Sequence, residues 1–575
     1  MKNYKNLLAA ASQQTVCDLV IKNGKIIDVF NLQIIKSDVA VIDGVIVGIG
    51  DYYRGNTVID ANGRYICPSF MDSHVHIESS MTTPRQFAEV VIPHGITTVI
   101  TDPHEIANVC GEDGIQFILD DSEQIPLDVK VMLPSCVPAT PFESSGAKLL
   151  AKELKPFYKH PRVIGLAEVM DFTSVKSAVP EMLEKLQDAN EQGLVIDGHG
   201  AGIDNIGINI YRAANILTDH ECTNAEEALN RISRGMYVQI RQGSAAKDLP
   251  ELISCVNDRN SHRFLLCTDD KHLDELITEG SIDHSIRLAI KLGCDPIIAI
   301  QMASINVATC YNLPNQGAIA PGYHADFLLL DDLDTIQIFE VYKQGQLVAT
   351  KGNYVGPKFQ PTPKQVKLIN SVHLTDLTLQ DFQIPLQYPQ ANIIEINPNR
   401  LITNHVVETV KVKNGYFIPS IEKDQLKLAV VERHLKTGNV GLGIIKGFKL
   451  TSGAVANSIA HDSHNLMAVS TNDQDLLMAI NELKKMQGGI VVVKDQKVLA
   501  SLALPIGGLM SDAPIPTLQN SLKQIENSLA SIGFNGEFDF LLTLAFLSLP
   551  VIPELKLTHQ GLFNVKTFEH IPVQA

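Results

Sequence analysis

No CxxC pair occurs in this chain, and its nine cysteines, odd in number and scattered, all lie before residue 311. A disulfide framework is therefore not expected. Cys67 and Cys267 sit inside apolar runs and read as buried free thiols, which suits a reducing compartment, the cytoplasm. Basic residues are also in short supply: 47 Lys and Arg stand against 64 Asp and Glu, for a net charge of −17. Nucleic acid and anionic membrane both need clustered cations, so neither is an expected partner. No Gly-rich nucleotide fingerprint, internal repeat or low-complexity segment is present. The N-terminal "MKNYKNLLAAASQQ" has only a short apolar core and no convincing cleavage site, so a signal peptide is not expected. The most apolar late run, "FDFLLTLAFLSLPVIPEL", is broken by Thr543, Pro550 and Pro553. It reads as a core segment, not a membrane span.

What is present is a normal globular composition, 45% apolar and 19% charged, over 575 residues. That length predicts two or three domains. The first 64 residues alternate apolar and polar positions between Asn23-Gly24, Asp43-Gly44 and Asn62-Gly63, the pattern of tight β-hairpins. From Tyr65 the pattern changes to short apolar runs separated by helix-length stretches. Eight such runs, from "YICPSFMDSHVHI" to "FLLCTDDK", predict a parallel (β/α)8 barrel, with an open doubly wound sheet as the alternative. The hairpin style returns at 315–357, so both flanks are expected to build one small β-sandwich module. The Pro-rich Gly356–Gln365 reads as a linker. Residues 366–575 mix strands and helices and predict a C-terminal α+β domain. The expected division is thus 1–64 plus 315–357, 65–314, and 366–575.

The strand ends carry the chemistry. In a barrel the C-terminal ends of the strands line the catalytic face. At those ends stand His74 and His76, then Asp102, His104 and Glu105, then Glu168, His199, His220 with Glu221, and Asp269 with Asp270. His74 and His76 are two apart on a strand, so both imidazoles enter one cavity. With 18 histidines in the chain the HxH pair alone is a weak signal; the other strand-end ligand types strengthen it. Imidazoles and carboxylates without a thiolate cluster suit Zn, Mn or Fe in a hydrolytic site. A bound divalent metal lowers the pKa of water from 15.7 to about 7. Two ions need a shared anionic bridge, which a carboxylate such as Glu168 can supply.

Further matches are "DSHVHIESSM", "TDPHEIANV", "LPSCVPATPFE", "GLAEVM", "DGHGAG", "TDDKH", "AHDSHN" and "LPVIPELKLT". In this order they resemble the bacterial adenine deaminase family of the amidohydrolase superfamily. The resemblance implies hydrolytic deamination of adenine to hypoxanthine and ammonia, with metal-activated water attacking C6. It implies that His74, His76 and Asp269 hold one ion, that His199 and His220 hold the other, and that Glu168 bridges in place of a carboxylated lysine. Asp269, Glu168 and His220 are the expected catalytic groups. The implied cofactor is a binuclear Mn or Fe centre, with Zn less favoured. Ala201 departs from the family's strand-five motif, where proline is expected; it leaves His199 intact.

Asp102, His104, Glu105, Arg241, Ser244, His461 and His464 are weaker candidates for substrate contact. Each has an ordinary structural alternative: a helix cap, a rim ion pair or a turn. Lys271 and His272 are candidates for a loop over the pocket. Glu78 reads as a loop residue behind the histidine pair. A homo-oligomer, a dimer in the first instance, is the expected assembly. The competing activities are hydrolysis of a cyclic amide or imide, or a barrel that has lost catalysis.

Overall fold

The computed structural model describes residues 4–575. The N-terminal module comprises β1 (Cys17–Asp28), β2 (Gln33–Ile42), β3 (Val45–Ile49), β4 (Gly55–Asp60) and β5 (Tyr65–Pro68). Of the three predicted hairpins, only Asp43-Gly44 is one, joining β2 to β3 through Ile42 and Val45. Asn23-Gly24 lies inside β1 at a register shift against β2. Asn62-Gly63 joins β4 to β5, which both run parallel to β1 and do not pair with each other. The left-handed backbone that Asn-Gly favours serves a bulge or a crossover turn as readily as a hairpin.

The chain then enters the barrel. Its strands are β6 (Phe70–Val75), β7 (Ile96–Thr101), β8 (Asp128–Leu133), β9 (Val163–Val169), β10 (Val195–Gly198), β11 (Thr218–Asp219), β12 (Tyr237–Arg241) and β13 (Phe264–Cys267). The first predicted barrel strand is therefore two. Tyr65–Pro68 belongs to the flanking sheet, and the barrel begins after Pro68, which cannot donate to a continuing ladder. β6–β10 form one parallel run and β11–β13 another. Leu217 N donates to Ile196 O at 2.8 Å, joining the two runs. Asp269 N to His74 O at 3.0 Å and His76 N to Asp269 O at 3.2 Å close the circle. Met71, Ile100, Met132, Ala167, Val195 and Leu265, from six of the strands, pack the interior below the mouth.

β14 (Phe327–Asp332), β15 (Gln337–Lys343), β16 (Gln346–Thr350) and β17 (Asn353–Tyr354) return to the first module. β14 pairs with β5, so both flanks of the barrel share one nine-stranded sheet, as expected. Alternation decides its faces: Leu19 and Ile21 join one apolar cluster, while Val20 between them joins another.

The C-terminal region is built on an eight-stranded sheet between Gln390 and Ala503. Helices Asp473–Met486 and Ile515–Ser531 pack against it. Three segments of the region reach the barrel mouth: the connection holding Leu401 before the strand Thr403–Thr409, the turn after the strand Ala454–Asn457, and the segment following the helix Phe540–Ala545. Among the described residues, no helix is long and apolar enough to cross a membrane. All nine cysteines are free.

Candidate metal centre

Glu168 stands near the end of β9 and divides the site in two. Its Oε1 lies 3.4 Å from His76 Nε2 and 3.9 Å from His74 Nε2. Its Oε2 lies 2.7 Å from His199 Nδ1 and 3.2 Å from His220 Nε2. Asp269 Oδ1 faces the first group, 3.4 Å from His74 Nε2 and 3.2 Å from His76 Nε2. The two histidine nitrogens are themselves 3.2 Å apart. Ligands held about 2.1 Å from a common ion stand roughly 3–3.5 Å from one another, so His74, His76 and Asp269 have the spacing of one ion's donors. His76 presents Nε2 because its Nδ1 is 3.0 Å from the Asp102 carbonyl, which takes the ring proton. Asp269 adopts a left-handed backbone with φ 57°, a conformation Asp tolerates better than most residues. The paired hydrogen bonds to β6 hold it there.

Electrostatics prepare the carboxylates. Burial opposes the charge on Glu168, yet hydrogen bonds from His104, His199, His220 and His76 hold its pKa well below the usual range. Asp269 is likewise held well below, against burial, by His74 and His76 and by the charges of His220 and Arg241. Desolvation lowers the pKa of His74, keeping a lone pair available. Beneath the centre, burial raises Asp72 and Asp197 to about 7. Tyr311 Oη donates to Asp197 at 3.0 Å and fixes this floor.

The expected ligands His74, His76, Glu168, His199, His220 and Asp269 thus converge. The weaker candidates separate. His104, Glu105, Arg241 and His461 line a cavity of about 200 Å³ over the centre. His104 Nδ1 sits 3.1 Å from Asp102 and 3.4 Å from Glu168. Asp102 therefore stands behind the imidazoles and not on the cavity wall. Ser244 turns away to Glu275 and receives His272 N at 2.9 Å; Ala245 and Ala246 take the wall instead. His464 is fully buried behind His461. Lys271 and His272 do not cover the pocket. Lys271 faces Glu279 at 3.4 Å, and His272 faces Asp539 at 3.3 Å on the C-terminal side. Asp270 lines the cavity in their place. Glu78 accepts Ile106 N at 3.2 Å and stays behind the pair, as expected.

Sequence reasoning gave no role to Glu221, which pairs with Arg241 and lies 3.5 Å from His220 Nε2. Its position beside a strand-end histidine was the available signal. It also read Phe546, Leu549 and Ile552 as core, whereas they form a cavity wall. No periodicity distinguishes a core face from a cavity face; both are apolar.

Two family models match this chain: "Amidohydrolase family" over residues 65–366 and "Adenine deaminase C-terminal domain" over residues 400–569. Adenine deaminase of Geobacillus kaustophilus (strain HTA426) is 55% identical over 572 residues, 99% of each chain. Adenine deaminase of Bacillus subtilis (strain 168) is 50% identical over 573 residues, again 99% of each. Among solved structures, an enamidase of the amidohydrolase superfamily matches with TM-score 0.45 at 21% identity, covering 58% of this chain and 96% of its own.

Proposed function

This chain belongs to the adenine deaminase family of the amidohydrolases, and from that membership we propose how its centre converts adenine and water to hypoxanthine and ammonia. One observation carries the reading: the two oxygens of Glu168 face two separate pairs of imidazoles. His74, His76 and Asp269 would hold one divalent ion and His199 and His220 a second, with Glu168 shared. Imidazole nitrogens and carboxylate oxygens fit Mn2+, Fe2+ or Zn2+; the family resemblance favours Mn or Fe. When bound, such ions lower the pKa of a water toward about 7 and supply hydroxide at neutral pH.

The residues of the chain do the rest. Asp269 keeps its carboxylate ionised and is positioned to take the proton from the attacking water. The bond from oxygen to C6 forms, Asp269 passes the proton to the exocyclic nitrogen, and the C6–N bond breaks to release ammonia. Arg241 Nη1, 3.3 Å from Asp269 Oδ2, holds that carboxylate against rotation. His104 is the candidate donor to a ring nitrogen. Burial opposes its charge, but Asp102 outweighs this and its pKa stands well above the ordinary value. Glu105 and His461 line the same cavity. Asp102 and Ser244 act from behind this surface. The cavity is smaller than the ~300–1,000 Å³ of drug-sized sites, which suits a free base over a nucleoside.

The test pairs metal analysis with turnover of adenine, adenosine, guanine and cytosine. Adenine alone should yield ammonia in step with hypoxanthine. Less than one divalent ion per chain after growth with added Mn, together with untouched adenine, would sink the proposal. The proposed homo-oligomer, a dimer first, is checked by light scattering.

A further inference from the structure

Beside this centre lies a second group of ligand-type side chains that the reaction does not use. Glu105 comes from the barrel helix His104–Cys110, while His461 and His464 come from the C-terminal turn after Asn457. One ligand atom from each lies within 4.8 Å of the others, and all three side chains are buried. Glu105 Oε1 is 3.9 Å from His461 Nδ1, and Glu105 Oε2 is 4.0 Å from His464 Nε2. Those separations are too long for hydrogen bonds. They are a few tenths of an ångström wider than the roughly 3–3.5 Å between donors of one ion, so a small inward shift of the side chains would bring all three to bonding distance of one metal.

The hydrogen-bond inventory points the same way. Both nitrogens of His464, at 0% exposure, and Glu105 Oε2 have no hydrogen-bond partner. An unpaired buried donor or acceptor costs about 1–3 kcal/mol, and two of these atoms, His464 Nε2 and Glu105 Oε2, face each other across 4.0 Å, where one ion would serve both. Carboxylates gather around Glu105, although His76 and His104 also act on it and Arg433 acts on His464. Glu78 and Asp270 stand close enough to Glu105 for their charges to add to the burial that raises its pKa well above normal. Among the described residues, no Lys or Arg makes an ion pair with any of these three carboxylates. Burial holds His461 and His464 below their ordinary pKa, which leaves neutral imidazoles with free lone pairs.

We propose that Glu105, His461 and His464 bind a third divalent transition-metal ion, distinct from the strand-end pair, which ties the C-terminal domain to the barrel. Two imidazoles and one carboxylate form a donor set that Zn2+, Mn2+ or Fe2+ accepts. The ligands come from two domains, so this ion would fix the C-terminal wall against the catalytic mouth. His461 would carry that constraint directly, since its ring stacks on Phe546 with centroids 4.3 Å apart.

The experiment counts metal per chain in holoenzyme grown with added Mn and locates it by anomalous diffraction at the Mn edge. Wild type should hold about three ions, with one peak among Glu105, His461 and His464. His464→Ala and Glu105→Gln should each lose that peak, keep the strand-end pair, and melt at a lower temperature that added Mn no longer raises. Two variants are used so that a folding defect in one leaves the other informative. Glu105 lines the cavity, so metal count and position are the readout, not turnover. Two ions in wild type and both variants would overturn the proposal, as would a third ion that both variants retain.

Discussion

The two walls of the cavity handle buried charge in opposite ways. On the barrel side, opposite charges meet: Glu168 and Asp269 are held well below the ordinary carboxylate range by surrounding imidazoles and Arg241. On the C-terminal side, burial acts with little to oppose it. It lowers the pKa of His461 on the wall itself, and behind the wall it lowers His434 to about 3, with Arg433 adding to the effect, and Lys556 to about 7. The barrel side keeps ionised ligands ready for cations. The C-terminal side offers a mainly apolar surface of Leu401, Phe546, Leu549, Val551 and Ile552, together with His461 and Asp462, to a neutral heterocycle. A hydrolytic deaminase needs both, because the attacking water must be activated while its substrate carries no charge to steer it.

The sharpest test of this contrast removes the shared carboxylate. Glu168→Gln should abolish turnover and lower the metal content of both ion positions together. If only one position empties, Glu168 does not bridge. Asp269→Asn comes next. Loss of its proton-transfer role should reduce kcat by roughly 10²–10⁴-fold, with the steady-state rate of ammonia release as the measurement. On the other wall, Phe546→Ala should raise KM for adenine by about 10–100-fold, the equivalent of about 1–3 kcal/mol of pocket contact. The strand-end metal content should not change. A fall in that metal content would show that the two walls are not separable.

The smallest effect concerns stability. Lys556 Nζ donates to the carbonyls of Leu401 at 2.8 Å and Phe546 at 3.1 Å and has no acidic partner. Desolvation lowers its pKa from 10.5 to about 7. Between those values the unfolded chain binds the proton and the folded chain does not, so this residue's contribution makes stability rise with pH across that window. Its burial cost is fully present below about 7. Lys556→Met should therefore stabilise the protein by about 1–2 kcal/mol near pH 6, after the loss of two hydrogen bonds is set against the relieved burial. The gain should shrink as pH approaches 10. Denaturant unfolding at both pH values measures it. An equal or larger gain at the alkaline value would show that Lys556 is not buried uncharged.

How much of this was legible in advance depends on the range over which each feature is encoded. His74 and His76 were readable because an i, i+2 pair on a strand shares a face by local geometry alone. Glu168, His199, His220 and Asp269 were readable because each follows its own apolar run, and a barrel sends every such end to one rim. Asn23-Gly24 misled because its backbone preference fits a bulge as well as a turn. Ser244 was misplaced by its neighbours: a strand end predicts the rim, but the partner carboxylate of Glu275 decided which way the side chain turned. Lys271 and His272 were expected over the pocket, and the docking of the C-terminal domain turned His272 toward Asp539 instead.

By itself the sequence determined the barrel, the flanking sheet and the strand-end placement of the six proposed ligands, because periodicity and turn chemistry act over a few residues. Only the tertiary structure decided that Glu168 presents one oxygen to each pair of imidazoles. It also decided that His461 and Phe546, far beyond the first histidines in the chain, complete the cavity. Those relations depend on how two separately encoded surfaces dock, and docking is settled by shape and by the pairing of buried polar atoms, which no local pattern records.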